Sequence, residues 1–246
     1  MFAQWSLTTN TLGACHEVVN LKLVNKRMIK GQETHSQRSI QTLDFNEVSQ
    51  RVADDDYAPM IVIARHGRPA LNRRVWINSE QYVTWWAAYD AGGLAPNQRV
   101  PNGLIEALRE CKLIVSSSLL RARETAAQAA PDRDIEVKEL FVEAPLPPPR
   151  LPNFIKFRPR FWGVIARFTW YFGYCRDQET RHEAEHRAKI GAEWLIESAR
   201  QHGSVGLLAH GWFNRMLRID LEAQGWTCVY DGRDSYWSHR VYRLKQ

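Results

Sequence analysis

The chain has 246 residues, of which 44% are hydrophobic, and it carries a formal net charge of +6 at neutral pH. This length allows one large domain or two small ones, and the basic balance favours anionic partners such as phosphate esters, nucleic acid or acidic lipids. No apolar run approaches the roughly 20 residues that cross a bilayer, and the four cysteines form no CxxC pair, so we expect a cytoplasmic protein without a zinc cluster or a disulfide framework.

Residues 1–57 show no periodic pattern, and residues 30–56 are rich in Gln, Ser, Asp and Arg. We therefore predict a poorly structured extension over 1–57 and a folded domain over 58–246. The basic stretch at residues 22–38 leaves organelle targeting open, although residues 1–20 lack the pattern of a secretory signal.

From residue 57 onwards, predicted strands alternate with predicted helices. Strands are expected at 60–64, 112–116, 135–137, 205–209 and 236–244, and helices at 79–89, 102–111, 119–130, 161–174, 179–200 and 212–223. A proline-rich loop at 145–152 opens an aromatic and basic insert over about 145–175. This alternation is typical of crossover units, so we predict a three-layer α/β/α sandwich around a mostly parallel sheet.

Arginine and histidine residues follow three of these predicted strands. Arg65-His66-Gly67 follows the first, Arg121 follows the second, and His210-Gly211 follows the fourth. Because ligands of open α/β sheets bind beyond the carboxyl ends of the strands, these side chains should meet in one crevice. Guanidinium groups bind phosphate oxygens in a bidentate manner, and an imidazole among them can attack phosphorus.

A proton donor for the leaving oxygen would complete this chemistry. Glu143 lies just beyond the short third strand and is the better-placed carboxylate, with Glu139 as the second candidate.

The order and spacing of these residues resemble the histidine phosphatase superfamily, which is related to phosphoglycerate mutases. The resemblance covers about residues 58–246 and includes Gly93-Leu94-Ala95-Pro96. It implies that His66 is the phosphorylated nucleophile, that Arg65, Arg121 and His210 bind phosphate, and that Glu143 donates a proton. It also implies a phosphate contact from Asn72, to which we add Gly67, Arg68 and Gly211 as candidate substrate contacts, and it implies no metal or organic cofactor.

Two positions depart from the family pattern. Arg68-Pro69 replaces the usual Glu or Gln followed by Thr or Ser, which removes a hydroxyl donor and adds a cation suited to a more anionic substrate. Ala144-Pro145-Leu146-Pro147 replaces the glycines that often follow the acidic residue, so the backbone geometry after Glu143 is left open.

His182-Glu183-Ala184-Glu185-His186 matches the His-Glu-x-x-His zinc motif. The flanking charges are typical of a solvated helix face, however, and no third ligand is identifiable. We therefore favour a surface helix over a metalloprotease site.

The aromatic and basic residues at about 153–174 are compatible with a helix that lies on a membrane surface. We favour the alternative that this segment is a lid or a wall of the pocket. Arg158, Arg160 and Arg167 are candidate substrate contacts there, Trp212 is placed to shape the pocket, and a partly apolar, selective pocket is expected. Basic residues are dispersed and no nucleic-acid motif is present, so no nucleic-acid partner is expected.

The sequence thus predicts a metal-independent phosphomonoester hydrolase acting on a small phosphorylated substrate. A phosphomutase of the same superfamily and a phosphate-binding module with little catalysis remain alternatives, and neither the substrate nor the oligomeric state follows from the sequence.

Overall fold

The structure, a computed structural model, describes residues 58–244. The extension predicted over residues 1–57 therefore lies outside the described residues. The described strands are β1 (Met60–Arg65), β2 (Leu113–Ser117), β3 (Ile135–Lys138), β4 (Ser204–Ala209), β5 (Trp226–Asp231) and β6 (His239–Leu244). The described helices are α1 (Ser79–Ala91), α2 (Asn102–Glu110), α3 (Leu120–Ala129), α4 (Pro159–Tyr171), α5 (Arg181–His202) and α6 (Gly211–Ala223), and a short 3-10 helix spans Glu139–Phe141.

The strands form one sheet in the order β3-β2-β4-β1-β6-β5. The first four are mutually parallel, whereas β6 runs antiparallel to β1 and β5 runs antiparallel to β6. Alternate residues of β1 enter different cores: Ile61 and Ile63 pack on one side of the sheet, and Met60, Val62 and Ala64 pack on the other. Helices therefore cover both faces, as the continuous apolar runs of the central strands require.

The two faces are covered by different helix pairs. One core contains buried residues of α5 and α6, such as Leu195 and Leu217, and the other contains buried residues of α2 and α3, such as Leu108 and Ala126. The predicted three-layer α/β/α sandwich with a mostly parallel sheet is thereby confirmed.

A third, smaller core joins α1 to the insert. Tyr82 of α1 packs with Trp162 and Ala166 of α4, and all three are fully buried. The indole nitrogen of Trp162 donates to the carbonyl oxygen of Ile77 over 2.7 Å, which ties α4 to the segment that enters α1. The insert thus packs against the domain and forms one wall of the crevice described below.

Local sequence signals explain where the helices begin and end. Helix α4 begins at Pro159, a residue that suits the first helical turn, and the chain leaves it through Gly173 at a φ of 94°. Helix α5 begins after Thr180, whose side chain forms a capping box with Glu183.

Two predictions of local structure were incomplete. Strand β5 was not predicted, because it is an exposed edge strand whose pairing with β6 is interrupted by a bulge between Cys228 and Tyr230. The predicted strand at 236–244 begins only at His239, since Trp237 adopts a φ of 64° that a strand does not accommodate.

Candidate active site

The sheet order brings the predicted motif residues together. Strands β2, β4 and β1 are neighbours and parallel, so the residues that follow them share one edge of the sheet. His66 follows β1 and His210 follows β4, and their ring centroids are 5.1 Å apart. Arg121 lies in the first turn of α3, after β2. Burial, and after it the charge of the Arg121 guanidinium, lowers the pKa of both imidazoles.

His66 is held in one tautomer. Its Nδ1 lies 2.7 Å from the carbonyl oxygen of Gly67. Because a carbonyl oxygen only accepts hydrogen bonds, Nδ1 carries the hydrogen and the lone pair of the neutral ring is on Nε2. Burial, followed by the charge of Arg121, lowers the pKa of His66 well below its ordinary value. The imidazole is therefore neutral at pH 7 with its Nε2 lone pair available.

Arg121 is fully buried and is oriented by α1. One terminal nitrogen donates to the carbonyl oxygen of Tyr89 over 3.0 Å, and the other donates to a carboxylate oxygen of Asp90, also over 3.0 Å. Burial raises the pKa of Asp90 despite this ion pair. The Arg121 guanidinium also lies over the Tyr89 ring, 4.6 Å from its centroid. Its Nε has no hydrogen-bond partner within residues 58–244, so one donor of the guanidinium is left over for an anion.

Arg65 is oriented by the loop that precedes β6. Its guanidinium donates to the carbonyl oxygen of Asp234 and lies 4.5 Å from the centroid of the Tyr236 ring. A side chain at Gly211 would place its Cβ 3.0 Å from that guanidinium, so the small residue after His210 allows the close approach. The Nε of Arg65 is also buried and unpaired within the described part of the chain.

His210 is fully buried at the N-cap of α6, and its Nε2 lies 2.8 Å from the hydroxyl oxygen of Ser117. Burial, with the charge of Arg121 next, lowers its pKa well below the ordinary value. The ring packs against that of His66 and, unlike His66, does not line the cleft. Its Nδ1 has no hydrogen-bond partner among residues 58–244.

Glu143 lies at the N-terminus of α6. Its Oε1 accepts hydrogen bonds from the backbone N–H groups of Phe213 and Ala144, over 2.9 and 3.1 Å, and its Oε2 accepts one from Trp212 over 3.2 Å. The first turn of a helix presents unpaired N–H groups of this kind, and a carboxylate is well suited to accept them. Arg187 fixes the preceding backbone by donating to the carbonyl oxygens of Leu140 and Val142. By contrast, Glu139 is exposed in the 3-10 helix and does not line the cleft.

Three of the predicted substrate contacts have other local roles. The N–H of Gly67 donates to Thr125, and a Cβ on this glycine would lie 2.4 Å from the Trp237 indole. Arg68 is exposed, and its backbone is bound to Gln98. Asn72 is exposed and accepts a hydrogen bond from the N–H of Arg74. None of the three lines the cleft, so their contact with substrate stays a prediction.

A cleft of about 660 Å³ opens above His66. The predicted site residues that line it are Arg65, His66, Arg121, Glu143 and Gly211, joined by Arg160, Arg167 and Trp212 from the candidate contacts. Further lining comes from α1, from α4 and the residue after it, and from the proline-rich loop. It consists mainly of aromatic and apolar side chains: Tyr82, Trp85, Trp86, Tyr89, Leu146, Pro159, Gly163, Val164, Phe168, Tyr171 and Phe172. The expected partly apolar pocket is therefore present.

Several residues that shape the site were not predicted from the sequence. Asp90 and Tyr89 orient Arg121, and Tyr236 covers both Arg65 and His66, with its ring centroid 5.7 Å from that of His66. Arg73 hydrogen-bonds the Tyr236 hydroxyl and lines the cleft. These partners come from distant parts of the chain and from no recognisable motif.

The His-Glu-x-x-His segment lies in the first two turns of α5. His182 and His186 are exposed, and Glu183 is engaged in the capping box with Thr180. Within residues 58–244, no group of three or more His, Cys, Asp or Glu side chains is placed to hold a metal ion. No helix among these residues is long and apolar enough to cross a membrane.

Comparison with known proteins gives structural matches only. No family model matches the chain, and no curated protein matches its sequence. A mycobacterial glucosyl-3-phosphoglycerate phosphatase matches with a TM-score of 0.44 and 21% identity over 67% of this chain and 79% of the other. A phosphoserine phosphatase from Entamoeba histolytica, in complex with 3-phosphoglyceric acid, matches with a TM-score of 0.48 and 16% identity over 76% of this chain and 98% of the other. Both names describe phosphatases.

Proposed function

We propose that the chain is a phosphomonoester hydrolase that acts through a phosphohistidine formed on His66. The proposal rests on one observation above all. The imidazole of His66 is buried and neutral, and its hydrogen is fixed on Nδ1 by Gly67. It lines the same cleft as Arg65, Arg121 and Glu143. This arrangement joins a nucleophile, cationic groups for the phosphoryl oxygens and a carboxyl group.

The first half of the reaction transfers the phosphoryl group to the enzyme. The Nε2 lone pair of His66 forms a bond to phosphorus while the bond from phosphorus to the ester oxygen breaks. A proton from the Glu143 carboxyl group passes to that oxygen, which leaves as an alcohol. Arg65 and Arg121 stabilise the negative charge on the phosphoryl oxygens.

The second half releases phosphate. Water attacks the phosphorus atom of the phosphohistidine, the ionised Glu143 takes the proton from that water, and the bond from phosphorus to Nε2 breaks. Inorganic phosphate leaves, and the neutral imidazole and the protonated carboxyl group are restored. Of the two Glu143 oxygens, Oε2 accepts a single, longer hydrogen bond among the described residues and is the better placed to exchange the proton.

The test compares wild type with His66→Ala in the presence of a metal chelator. We expect wild type to release phosphate from 4-nitrophenyl phosphate and to yield an acid-labile, base-stable phosphoprotein on rapid quenching, and we expect His66→Ala to do neither. His182→Ala, a change at an exposed histidine of α5, is the matched control and should behave as wild type. Full phosphate release from a folded His66→Ala protein would refute the mechanism.

A further inference from the structure

Aromatic rings make up much of the cleft lining. Helix α1 contributes Trp85, Trp86 and Tyr89, whose ring centroids lie 5.0 to 6.3 Å apart. Helix α4 contributes Val164 and Phe168 to the same cleft. These side chains provide an apolar surface for a ligand that reaches past the phosphate.

The α4 wall is not covered by the rest of the described chain. Val164, Phe168 and Phe172 are spaced four residues apart, so they lie on one stripe of the helix and its C-terminal end, and they are 62%, 65% and 74% exposed. Large apolar side chains exposed together beside a cleft are typical of a ligand-binding surface. A ligand lying in this cleft would remove part of that surface from water.

The charged side chains that line the cleft are mostly cationic. Among the described residues they are six arginines and one carboxylate, Glu143, and α4 contributes Arg160 and Arg167. Arg167 lies between the rings of Trp170 and Trp212, 4.6 and 4.5 Å from their centroids, and one of its terminal nitrogens is buried without a hydrogen-bond partner among residues 58–244. Burial lowers the pKa of Arg167 to about 10, so it remains charged at neutral pH. The arginine-lined part of the cleft therefore attracts anions, while its aromatic and aliphatic walls favour apolar groups.

The size of the cleft agrees with a large leaving group. A volume of about 660 Å³ lies within the range of sites that enclose drug-sized ligands. A phosphoryl group at His66 fills only a small part of it, and a short polar leaving group would leave the aromatic walls in contact with water.

We propose that the substrate is an amphiphilic phosphomonoester, whose phosphate binds at His66 and whose long apolar leaving group lies along Val164, Phe168 and Phe172. This inference rests on the proposed hydrolase function and names its substrate class. The bond that breaks is the one from phosphorus to the ester oxygen, and the product is the corresponding long-chain alcohol, which takes the proton from Glu143.

The test uses straight-chain alkyl phosphates from ethyl to decyl, below the concentrations at which they form micelles. Straight-chain alcohols differ little in acidity, so the series varies the apolar contact and leaves the chemistry of bond cleavage nearly constant. Full burial of one methylene group changes affinity by about fourfold. If only a quarter of the chain that decyl phosphate adds to ethyl phosphate is buried, kcat/KM for decyl phosphate should exceed that for ethyl phosphate by about tenfold or more. Phe168→Ser should reduce that gain severalfold, so that kcat/KM falls further for decyl phosphate than for ethyl phosphate.

Ile219→Ser is the matched control. Ile219 is a large apolar residue on α6 that is 69% exposed and does not line the cleft, so its replacement should leave the chain-length preference intact. Equal kcat/KM for ethyl and decyl phosphate would overturn the proposal. So would a loss of preference in Ile219→Ser that matches the loss in Phe168→Ser, since the effect would then follow general surface hydrophobicity.

A binding measurement separates this proposal from the proposed reaction. Calorimetric titration of His66→Ala with ethyl and decyl phosphate needs no turnover, and we expect decyl phosphate to bind about tenfold tighter or better. Equal affinities would refute the amphiphilic ligand even if wild type releases phosphate. If no ester releases phosphate but decyl phosphate still binds more tightly than ethyl phosphate, the proposed hydrolase function is refuted and the proposed apolar binding site is supported.

Discussion

Replacing Glu143 with glutamine tests the proposed proton donor while keeping the size of the side chain. The amide oxygen can retain the two hydrogen bonds that Oε1 accepts from Phe213 and Ala144. The amide nitrogen then faces the N–H of Trp212, so the 3.2 Å hydrogen bond to Oε2 is lost. Loss of one such bond lowers the free energy of unfolding by about 1 kcal/mol, and the variant should therefore fold.

The effect on the rate depends on the leaving group. Positioned acids contribute about 10²- to 10⁴-fold, so kcat/KM of Glu143→Gln for hexyl phosphate should fall by that factor, or about 3–5 kcal/mol of transition-state stabilisation. A 4-nitrophenolate ion is a far weaker base than an alkoxide and leaves without a proton. The loss for 4-nitrophenyl phosphate should therefore be about tenfold or less.

The assay measures phosphate release from the two esters in parallel for wild type, Glu143→Gln and Glu139→Gln. Glu139 is the exposed carboxylate of the preceding 3-10 helix and serves as the control, with both esters turned over as by wild type. Equal losses for the two esters in Glu143→Gln would show that this side chain does not protonate the leaving oxygen. Selective loss for the alkyl ester in Glu139→Gln would assign that role to the other carboxylate.

Two further predictions concern the buried titratable groups around the site. Burial lowers the pKa of His66 and His210 below the unfolded value of about 6.5, so the unfolded chain binds protons before the folded one does. The free energy of unfolding therefore falls as the pH drops below about 6.5, by up to about 2.7 kcal/mol per pH unit for the two histidines together. Denaturant unfolding should show a shallower fall in His66→Asn and in His210→Asn than in wild type, and unchanged pH dependence in both would contradict the assignment. Asp90→Asn leaves the buried Arg121 without its carboxylate partner. Because that carboxylate is about a third exposed, we expect the free energy of unfolding to fall by about 1–2 kcal/mol. Added phosphate should restore part of this loss, as measured by thermal unfolding. A stability equal to that of wild type would show that the ion pair is not needed to keep the guanidinium buried.

The fold was predictable because its main elements carry local signals. The apolar runs that became β1 and β4, and the charged helix that became α5, were placed within two residues at each end. Helix α5 ends one residue before Gly203, which adopts a φ of 84°, and this kind of stop signal is readable in a sequence. Strand β5 was missed because an edge strand exposes most of its side chains and lacks a clear alternating pattern.

The convergence of His66, Arg121 and His210 was predictable because each follows a strand of a parallel sheet. The partners that orient them were not, since their identity depends on tertiary packing. Asp90 precedes Arg121 by 31 residues, and Tyr236 reaches Arg65 from the far end of the domain. Arg68 and Asn72 show that closeness in sequence is not enough, because both lie near His66 in the chain yet are exposed and do not line the cleft.

The antiparallel strand β6 makes the geometry around His66 depend on contacts of long sequence separation. The loop before β6 supplies Asp234 and Tyr236 to Arg65, and the N–H of Arg65 donates to the carbonyl oxygen of Ser238. Arg65 and Asp234 are 169 residues apart in the sequence. Contacts of this kind require a large loop to close before they contribute to stability, so we expect the surroundings of Arg65 to form late in folding, when β6 pairs with β1.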